Sequence, residues 1–198
     1  MTSRIDPITP AEADDEEIED ILQAAAEGWW EDPAMMGVMA HQPQLLKSII
    51  PAFRSFFIEG DVETHIYELM RLKDGEINRC TYCSSVRTKA VEDEVTEKED
   101  ALFGEVDEDA FTRREYLAIR LAEQMAGDPN YIQDEFFEEL RTVYTDEEIV
   151  ELVFGCGLLI FGNKFNITMT LDVDEESPYP SGLEYPLGDP SEITTQSD

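Results

Sequence analysis

Apolar residues recur every three to four positions over most of this chain, which is the spacing of amphipathic α-helices. The pattern is clearest in PQLLKSIIPAFRSFFIEG, VETHIYELMRLKDGEI, REYLAIRLAEQMA and DEEIVELVFGCGLLIFGNKFN. Capping boxes, in which a Thr is followed three residues later by a Glu, mark helix starts at Thr9, Thr112 and Thr145. Only TMTLDV, near the end of the last segment, has the pattern of a strand. The sequence therefore predicts an all-α antiparallel bundle of seven or eight helices, at about residues 10–28, 33–41, 43–59, 62–78, 81–99, 112–127, 130–144 and 146–169.

The composition changes near residue 171. Residues 1–171 carry the helical pattern and are predicted to form one domain, since a chain of this length can bury a substantial core. Residues 172–198 are rich in Pro, Ser, Gly and acidic residues. They are predicted to form an extended acidic tail, ordered only where a surface packs on Tyr179, Leu183 and Tyr185.

The chain is strongly acidic, with 46 Asp and Glu against 14 Lys and Arg and a net charge of −32. The acidic residues decorate nearly every predicted helix, which is typical of adaptation to high salt, where the screening length falls to about 3 Å at 1 M. Such a surface disfavours nucleic acid and anionic membranes as partners. No secretory signal pattern and no membrane-spanning apolar run is apparent, and LVFGCGLLIF is interpreted as a core helix. We therefore expect a cytoplasmic protein.

Two of the three cysteines, Cys80 and Cys83, stand three positions apart in NRCTYCSSVRTKAV. A structural zinc site usually takes two such pairs, and the remaining candidates here are Cys156, His41 and His65, at no characteristic spacing. We therefore expect no metal, and we interpret Cys156, between two glycines in an apolar helix, as a core residue. A working dithiol fits better, because Cys80 falls at a predicted helix start, where free amide groups favour a thiolate.

The dithiol interpretation gains support from Arg87. On a helix over 81–99, Cys80, Cys83 and Arg87 share one face, and a permanent positive charge one turn from a thiol favours the anion. Residues three apart on a helix are also close enough to form a disulfide. The pattern leaves one alternative open, namely two small half-buried hydrophobic residues beside a surface arginine.

A helical hairpin would add two further residues to this site. If helices 62–78 and 81–99 run antiparallel about a turn near residue 78, Glu68 faces Arg87, and His65 shares the stripe of Glu68. The predicted site is therefore Cys80, Cys83, Arg87 and Glu68, with His65 beside them. Without the hairpin, Glu68 is one more solvated acid and His65 an interfacial histidine.

The segment ELMRLKDGEINRCTYCSSVRTKAV resembles the signature of the carboxymuconolactone decarboxylase-like superfamily, in its alkylhydroperoxidase D-like branch. That signature is a Glu, eleven residues and then Cys-x-x-Cys-x-x-x-His, and Glu68, Cys80 and Cys83 fall on its positions. Similarity extends over about residues 34–174 and includes the ending NKFN of the last helix. The resemblance implies an all-α antiparallel fold, assembly as trimers or hexamers, and thiol-dependent reduction of a small hydroperoxide. We expect no cofactor.

The resemblance also implies roles for the two thiols. Cys83 attacks the peroxide and becomes a sulfenic acid, Cys80 condenses with it to a disulfide, and a dithiol donor, whose identity the sequence does not reveal, reduces that disulfide. The helix-start argument instead favours Cys80 as the thiolate, so the two arguments differ.

The chain departs from the signature at Arg87, which stands where the family has a proton-relaying histidine. Arginine keeps its proton, so it cannot act as a base, and pairing with it would lower the pKa of Glu68. Either the thiolate forms without a relay or the dithiol serves another redox role; His65 is a weaker candidate base. The alternatives to a peroxidase are a cofactor-free lyase like the lactone decarboxylases and a non-enzymatic oligomer that senses redox state.

Overall fold

The fold is seen in a computed structural model that describes residues 3–29 and 33–171. This part of the chain is all-α, as predicted, and contains no strand. Its ten α-helices are α1 (Glu16–Ala24), α2 (Ala34–Met39), α3 (Pro43–Phe57), α4 (Thr64–Ile77), α5 (Thr81–Ser85), α6 (Glu92–Thr96), α7 (Glu99–Leu102), α8 (Arg113–Ala126), α9 (Asp134–Leu140) and α10 (Asp146–Met169). The predicted tail over 172–198 lies outside the described residues, so the proposed division of the chain stays a prediction.

The predicted helix bounds hold best where a capping box starts an apolar helix. Helices α8 and α10 begin after Thr112 and Thr145, each with a complete capping box. Two predicted helices are shorter than expected. The segment 10–28 divides into a 3-10 turn (Pro10–Glu12), α1 and a π-helical turn (Ala25–Trp29), and 130–144 contains only α9 after a 3-10 turn (Pro129–Tyr131).

The prediction of one helix over 81–99 is wrong, because α5 ends at Ser85. Val86 is extended, with φ −85° and ψ 153°, and the chain continues through short turns to α6 and α7. Two arginines donate hydrogen bonds to backbone carbonyls that would accept helical hydrogen bonds in a longer α5. Arg71 donates to the carbonyls of Cys83 and Val86, and Arg87 donates to the carbonyl of Ser84 at 2.7 Å. Hydrophobic spacing does not reveal this competition.

Helix α4 lies at the centre of the fold and packs against α5, α8 and α10. Every residue from Ile66 to Gly75 is buried, so the helix is enclosed on all sides rather than along one apolar stripe. The enclosed stretch includes four ionisable side chains, Glu68, Arg71, Lys73 and Asp74. Burying an unpaired charge costs free energy, so the ionisable side chains of α4 depend on ion pairs and hydrogen bonds within the fold.

Helix α10 packs on α3, α4, α5 and α8. Cys156 is fully buried on it, as expected of a core residue. At Gly155, an added Cβ would lie 2.7 Å from Tyr67 Cε1, so this glycine permits close packing on α4, whereas a Cβ at Gly157 would meet nothing within 4 Å. Of the two glycines beside Cys156, Gly155 is therefore the one that allows a neighbouring helix to pack closely. By length and composition α10 could also cross a membrane, a test that a core helix passes as well.

Candidate active site

The two cysteines are positioned by a tight turn between α4 and α5. The Cys80 amide donates to the Gly75 carbonyl at 2.8 Å and the Arg79 amide donates to the Glu76 carbonyl at 2.9 Å, which is the Schellman arrangement at a helix end. Arg79 has φ 57°, a left-handed conformation that is uncommon for a residue other than glycine. The turn reverses the chain at once and makes Cys80 the N-cap residue of α5.

Cys80 and Cys83 form a disulfide, with their Cα atoms 5.2 Å apart. Both residues are buried. The Cys83 amide donates to Cys80 Sγ at 3.2 Å, so the helix start acts on the Cys80 sulfur as the helix-terminus argument expects. Asn166 of α10 reaches the other sulfur, with its Nδ2 3.4 Å from Cys83 Sγ. Each sulfur therefore has one hydrogen-bond donor of its own.

Glu68 is buried beside this turn, but its partner is Arg71 rather than Arg87. Arg71 Nε lies 2.8 Å from Glu68 Oε2, and Thr88 donates to the same carboxylate through its amide at 2.8 Å and its hydroxyl at 2.7 Å. Arg87 instead lies 2.6 Å from Glu99 Oε1 through its Nε. The predicted Glu68–Arg87 pair required a longer α5. Once the helix ends at residue 85, the amide of Thr88 replaces the Arg87 side chain at the carboxylate.

The surroundings of Glu68 keep it ionised. Burial by itself would raise its pKa, but the Arg71 guanidinium and the hydrogen bonds from Thr88 outweigh burial and hold the pKa below its usual value. A carboxylate held in this way is a poor proton acceptor. The role of Glu68 supported by the geometry is to fix Arg71 and the start of the segment after α5.

His65 points away from the dithiol. Its Nε2 lies 3.2 Å from Glu115 Oε1 on α8 and 3.6 Å from Glu94 Oε1 on α6. These three residues have the spacing of a metal-binding cluster, but Lys98 also bonds to Glu115 Oε1, at 2.5 Å. Because the ammonium group of Lys98 already pairs with that oxygen, we interpret the cluster as an ion-pair network. The base role considered for His65 has no support from this position.

A cavity of about 30 Å³ adjoins Cys83. Most of its wall is apolar, and the lining residues with polar side-chain groups, besides Cys83, are Arg71, Tyr82, Asn163 and Asn166. Asn163 Nδ2 donates to the Leu159 carbonyl at 2.7 Å, while the Oδ1 atoms of Asn163 and Asn166 are buried and accept no hydrogen bond from the described residues. The cavity is thus lined by one cysteine of the disulfide, an arginine and two asparagines.

Arg71, Asn163 and Asn166 were not among the residues predicted for the site. Arg71 carried a signal, since it lies one turn after Glu68 in an apolar helix, and a residue i+3 to an acid is placed to pair with it. The two asparagines lie in NKFN, noted above only as a resembling helix ending. The spacing of apolar residues along α10 does not reveal that these two asparagines line a cavity formed together with other helices.

No protein-family model matches this chain, and no curated protein matches it. Solved structures do match. The debrominase Bmp8, in complex with 2,3,4-tribromopyrrole, has a TM-score of 0.69 at 17% identity over 88% of this chain and 94% of its own. The alkylhydroperoxidase AhpD core of an uncharacterized peroxidase-related protein from Ralstonia eutropha has a TM-score of 0.65 at 16% identity over 89% and 94%. This chain has the alkylhydroperoxidase D-like fold.

A third structure with the alkylhydroperoxidase D-like fold, an uncharacterized peroxidase-related protein from Silicibacter, gives a TM-score of 0.67 at 15% identity, over 88% of this chain and 93% of its own. The match covers nearly all of the described chain, more than the segment in which the sequence resemblance was found. At these identities the similarity establishes the fold that the resemblance implied. What the fold does in this chain depends on the residues around Cys83.

Proposed function

We propose that this protein is a thiol-dependent peroxidase that uses Cys80 and Cys83 to reduce a small hydroperoxide. The observation that carries the proposal is the position of Cys83, which is one half of a disulfide and also lines a cavity with polar side chains. A sulfur that alternates between thiol and disulfide needs both a partner sulfur and access for its oxidant. Cys83 has both.

In the first step the Cys83 thiolate attacks one oxygen of the peroxide. An S–O bond forms and the O–O bond breaks, so Cys83 is oxidised to a sulfenic acid and the peroxide is reduced to an alcohol or to water. The proton lost by the thiol is returned to the leaving oxygen. Cys80 then attacks the sulfenic sulfur, which forms the disulfide and releases water.

A dithiol donor completes the cycle by reducing the disulfide, and is itself oxidised to a disulfide. Cavities adjoin both cysteines, one of about 30 Å³ at Cys83 and one of about 200 Å³ at Cys80. We assign the attack to Cys83, as the resemblance implies, because Asn166 contacts its sulfur. Since Glu68 is held as a carboxylate, the Cys83 thiolate is stabilised by direct contacts, through Asn166 and the nearby Arg71, rather than by a proton relay.

The cavity favours a small substrate. A space of about 30 Å³ is too small for a substituted pyrrole such as the ligand of Bmp8. It accommodates only a few atoms beside the sulfur, which is the size of a hydroperoxide group.

We further propose that the protein is a homo-oligomer, as the resemblance implies, and that it functions in the cytoplasm, as expected from its sequence. Large apolar side chains are exposed along α10 in an otherwise acidic chain, at Val150, Val153, Phe154, Phe161 and Ile167. Sedimentation in molar salt tests the assembly, and a monomer at all concentrations would contradict it.

The catalytic proposal is tested by measuring peroxide consumption in molar salt with dithiothreitol as the donor. Cys83→Ser should abolish turnover, whereas Cys156→Ser, which replaces the third cysteine in the core, should retain it. Undiminished turnover in Cys83→Ser would remove the proposal. A change in oligomeric mass on oxidation, without turnover, would favour the redox-sensing alternative, and thiol-independent turnover of a carboxylated lactone would favour a lyase.

A further inference from the structure

Two asparagines in the cavity have carbonyl oxygens without a donor. Asn163 and Asn166 are 1% and 3% exposed, and the Oδ1 atom of each accepts no hydrogen bond from the described residues. Their amide nitrogens are already engaged, with the Leu159 carbonyl and with Cys83 Sγ. Burying an unpaired acceptor costs free energy, so such groups in native proteins usually face a ligand or an ordered water.

Only a hydrogen-bond donor can pair with these two oxygens. Hydrogen peroxide offers two O–H groups and can donate to both oxygens at once. An alkyl hydroperoxide offers only one O–H group, and its alkyl group would leave the second acceptor unpaired. Leaving a buried polar group unpaired is the kind of difference by which binding sites discriminate strongly.

The size of the cavity leads to the same conclusion. A cavity of about 30 Å³ exceeds the 10–15 Å³ or so that one water requires, and it holds roughly two water-sized groups. Met35 and Phe53 are among the residues that close its apolar wall. An O–O unit fits this space, whereas a tertiary alkyl group would have to lie outside it, towards the open side of the cavity.

We infer that Asn163 and Asn166 bind the O–H groups of the oxidant, and that the oxidant is hydrogen peroxide rather than a bulky alkyl hydroperoxide. The inference rests on the proposed peroxidase function. Because Asn166 also contacts Cys83 Sγ, an oxygen bound to it lies next to the sulfur. The attack forms the S–O bond of the sulfenic acid and breaks the O–O bond. The second oxygen takes the proton of the Cys83 thiol and leaves as water.

The test compares the rate constants for oxidation of the reduced protein by hydrogen peroxide and by tert-butyl hydroperoxide. The wild type should react faster with hydrogen peroxide. Asn163→Ala should lower the hydrogen peroxide rate about tenfold, the effect of one hydrogen bond, and should reduce the preference over the alkyl peroxide. The ultraviolet absorbance of the Cys83 thiolate as a function of pH should stay unchanged, because Asn163 acts on the oxidant and not on the thiol.

A second variant separates the cavity from the stability of the fold. A Cβ at Gly162 would lie 3.5 Å from Met35 Cε, an ordinary contact, and would reduce the space in the cavity. Gly162→Ala should therefore fold and lose peroxide reactivity, whereas Gly157→Ala, which adds the same methyl group where nothing lies within 4 Å, should retain it.

The outcomes distinguish the two proposals. A wild type that consumes neither peroxide removes both the peroxidase function and the inference. Turnover with equal rates for the two peroxides, or an unchanged preference in Asn163→Ala and Gly162→Ala, leaves the peroxidase intact and overturns the inference alone.

Discussion

Arg71 and Glu68 form a buried ion pair at the centre of the fold, with Arg71 Nη2 2.6 Å from Glu68 Oε1. The same guanidinium donates to the carbonyls of Cys83 and Val86 and lines the cavity beside the sulfur. One arginine therefore neutralises a buried acid, ends α5 and lines the cavity beside Cys83. The structure of the site depends on this side chain more than on any residue of the signature itself.

Replacing Arg71 should be costly. Arg71→Met leaves Glu68 as an unpaired buried carboxylate, and breaking a buried pair in this way destabilises a fold by about 3–5 kcal/mol. The free energy of unfolding, measured with denaturant at constant salt, tests this.

A matched control is Arg141→Met, which removes a largely exposed arginine paired with Glu138 and Asp146 and should change the free energy of unfolding far less. Glu68→Gln combined with Arg71→Met should recover part of the loss. A cost for Arg71→Met as small as that of the control would show that the pair is unimportant.

Restoring the signature histidine should not raise activity. Arg87→His places an imidazole where the guanidinium now contacts Glu99 and the carbonyls of Ser84 and Val86, away from the carboxylate of Glu68, which Arg71 and Thr88 already occupy. We expect peroxide turnover no higher than that of the wild type. A gain of tenfold or so, equivalent to about 1.4 kcal/mol in the barrier, would show that a relay can form and limits the natural protein.

Asp74 should make stability fall as the pH rises. Burial raises its pKa well above the usual value, and the single contact that opposes burial is with Cys156, 3.6 Å away. Because the folded pKa exceeds the unfolded one, the folded state holds a proton that the unfolded state releases above about pH 4. Each pH unit between the two pKa values then lowers the free energy of unfolding by about 1.4 kcal/mol.

Asp74→Asn removes this titration. The variant should be more stable than the wild type near neutral pH, and the difference should shrink as the pH falls towards the unfolded pKa. Denaturant unfolding at several pH values, at constant salt, provides the measurement. A difference that does not vary with pH would mean that Asp74 does not titrate on folding.

Two glycines of α10 should respond in opposite directions to the same substitution. In Gly155→Ala the new methyl group would lie 2.7 Å from Tyr67 and 2.9 Å from Phe56, an overpacking that typically costs about 1–3 kcal/mol. In Gly157→Ala it meets nothing within 4 Å, so the higher helix propensity of alanine should add up to about 1 kcal/mol. Thermal unfolding distinguishes the two, and equal effects would contradict the packing described here.

The sequence predicts the elements whose causes are local. Helix α10 has its predicted bounds because Thr145 caps it and its apolar spacing is unbroken. The end of α5 could not be predicted, because it depends on Arg71 reaching from another helix to carbonyls that local hydrogen bonds would otherwise use.

In the candidate site, too, the sequence predicts features that have local causes and misses those that depend on contacts between helices. Of the positions fixed by the signature, Cys80 and Cys83 form a disulfide at one turn, whereas Glu68 contacts Arg71 and Thr88. The partner of Glu68 was predicted wrongly because the hairpin model assumed a longer helix. Asn163 and Asn166 were missed because their role arises only when α10 packs against α5.

The disulfide encloses a very small ring, since its two cysteines are separated by three positions in the chain. A cross-link this short restricts the unfolded chain by only about 2 kcal/mol, against nearly 5 kcal/mol for a loop of 100 residues. The helices around it are tied together by side-chain packing instead. The proposed catalytic cycle would therefore break and remake a covalent bond that contributes little to holding the helices together.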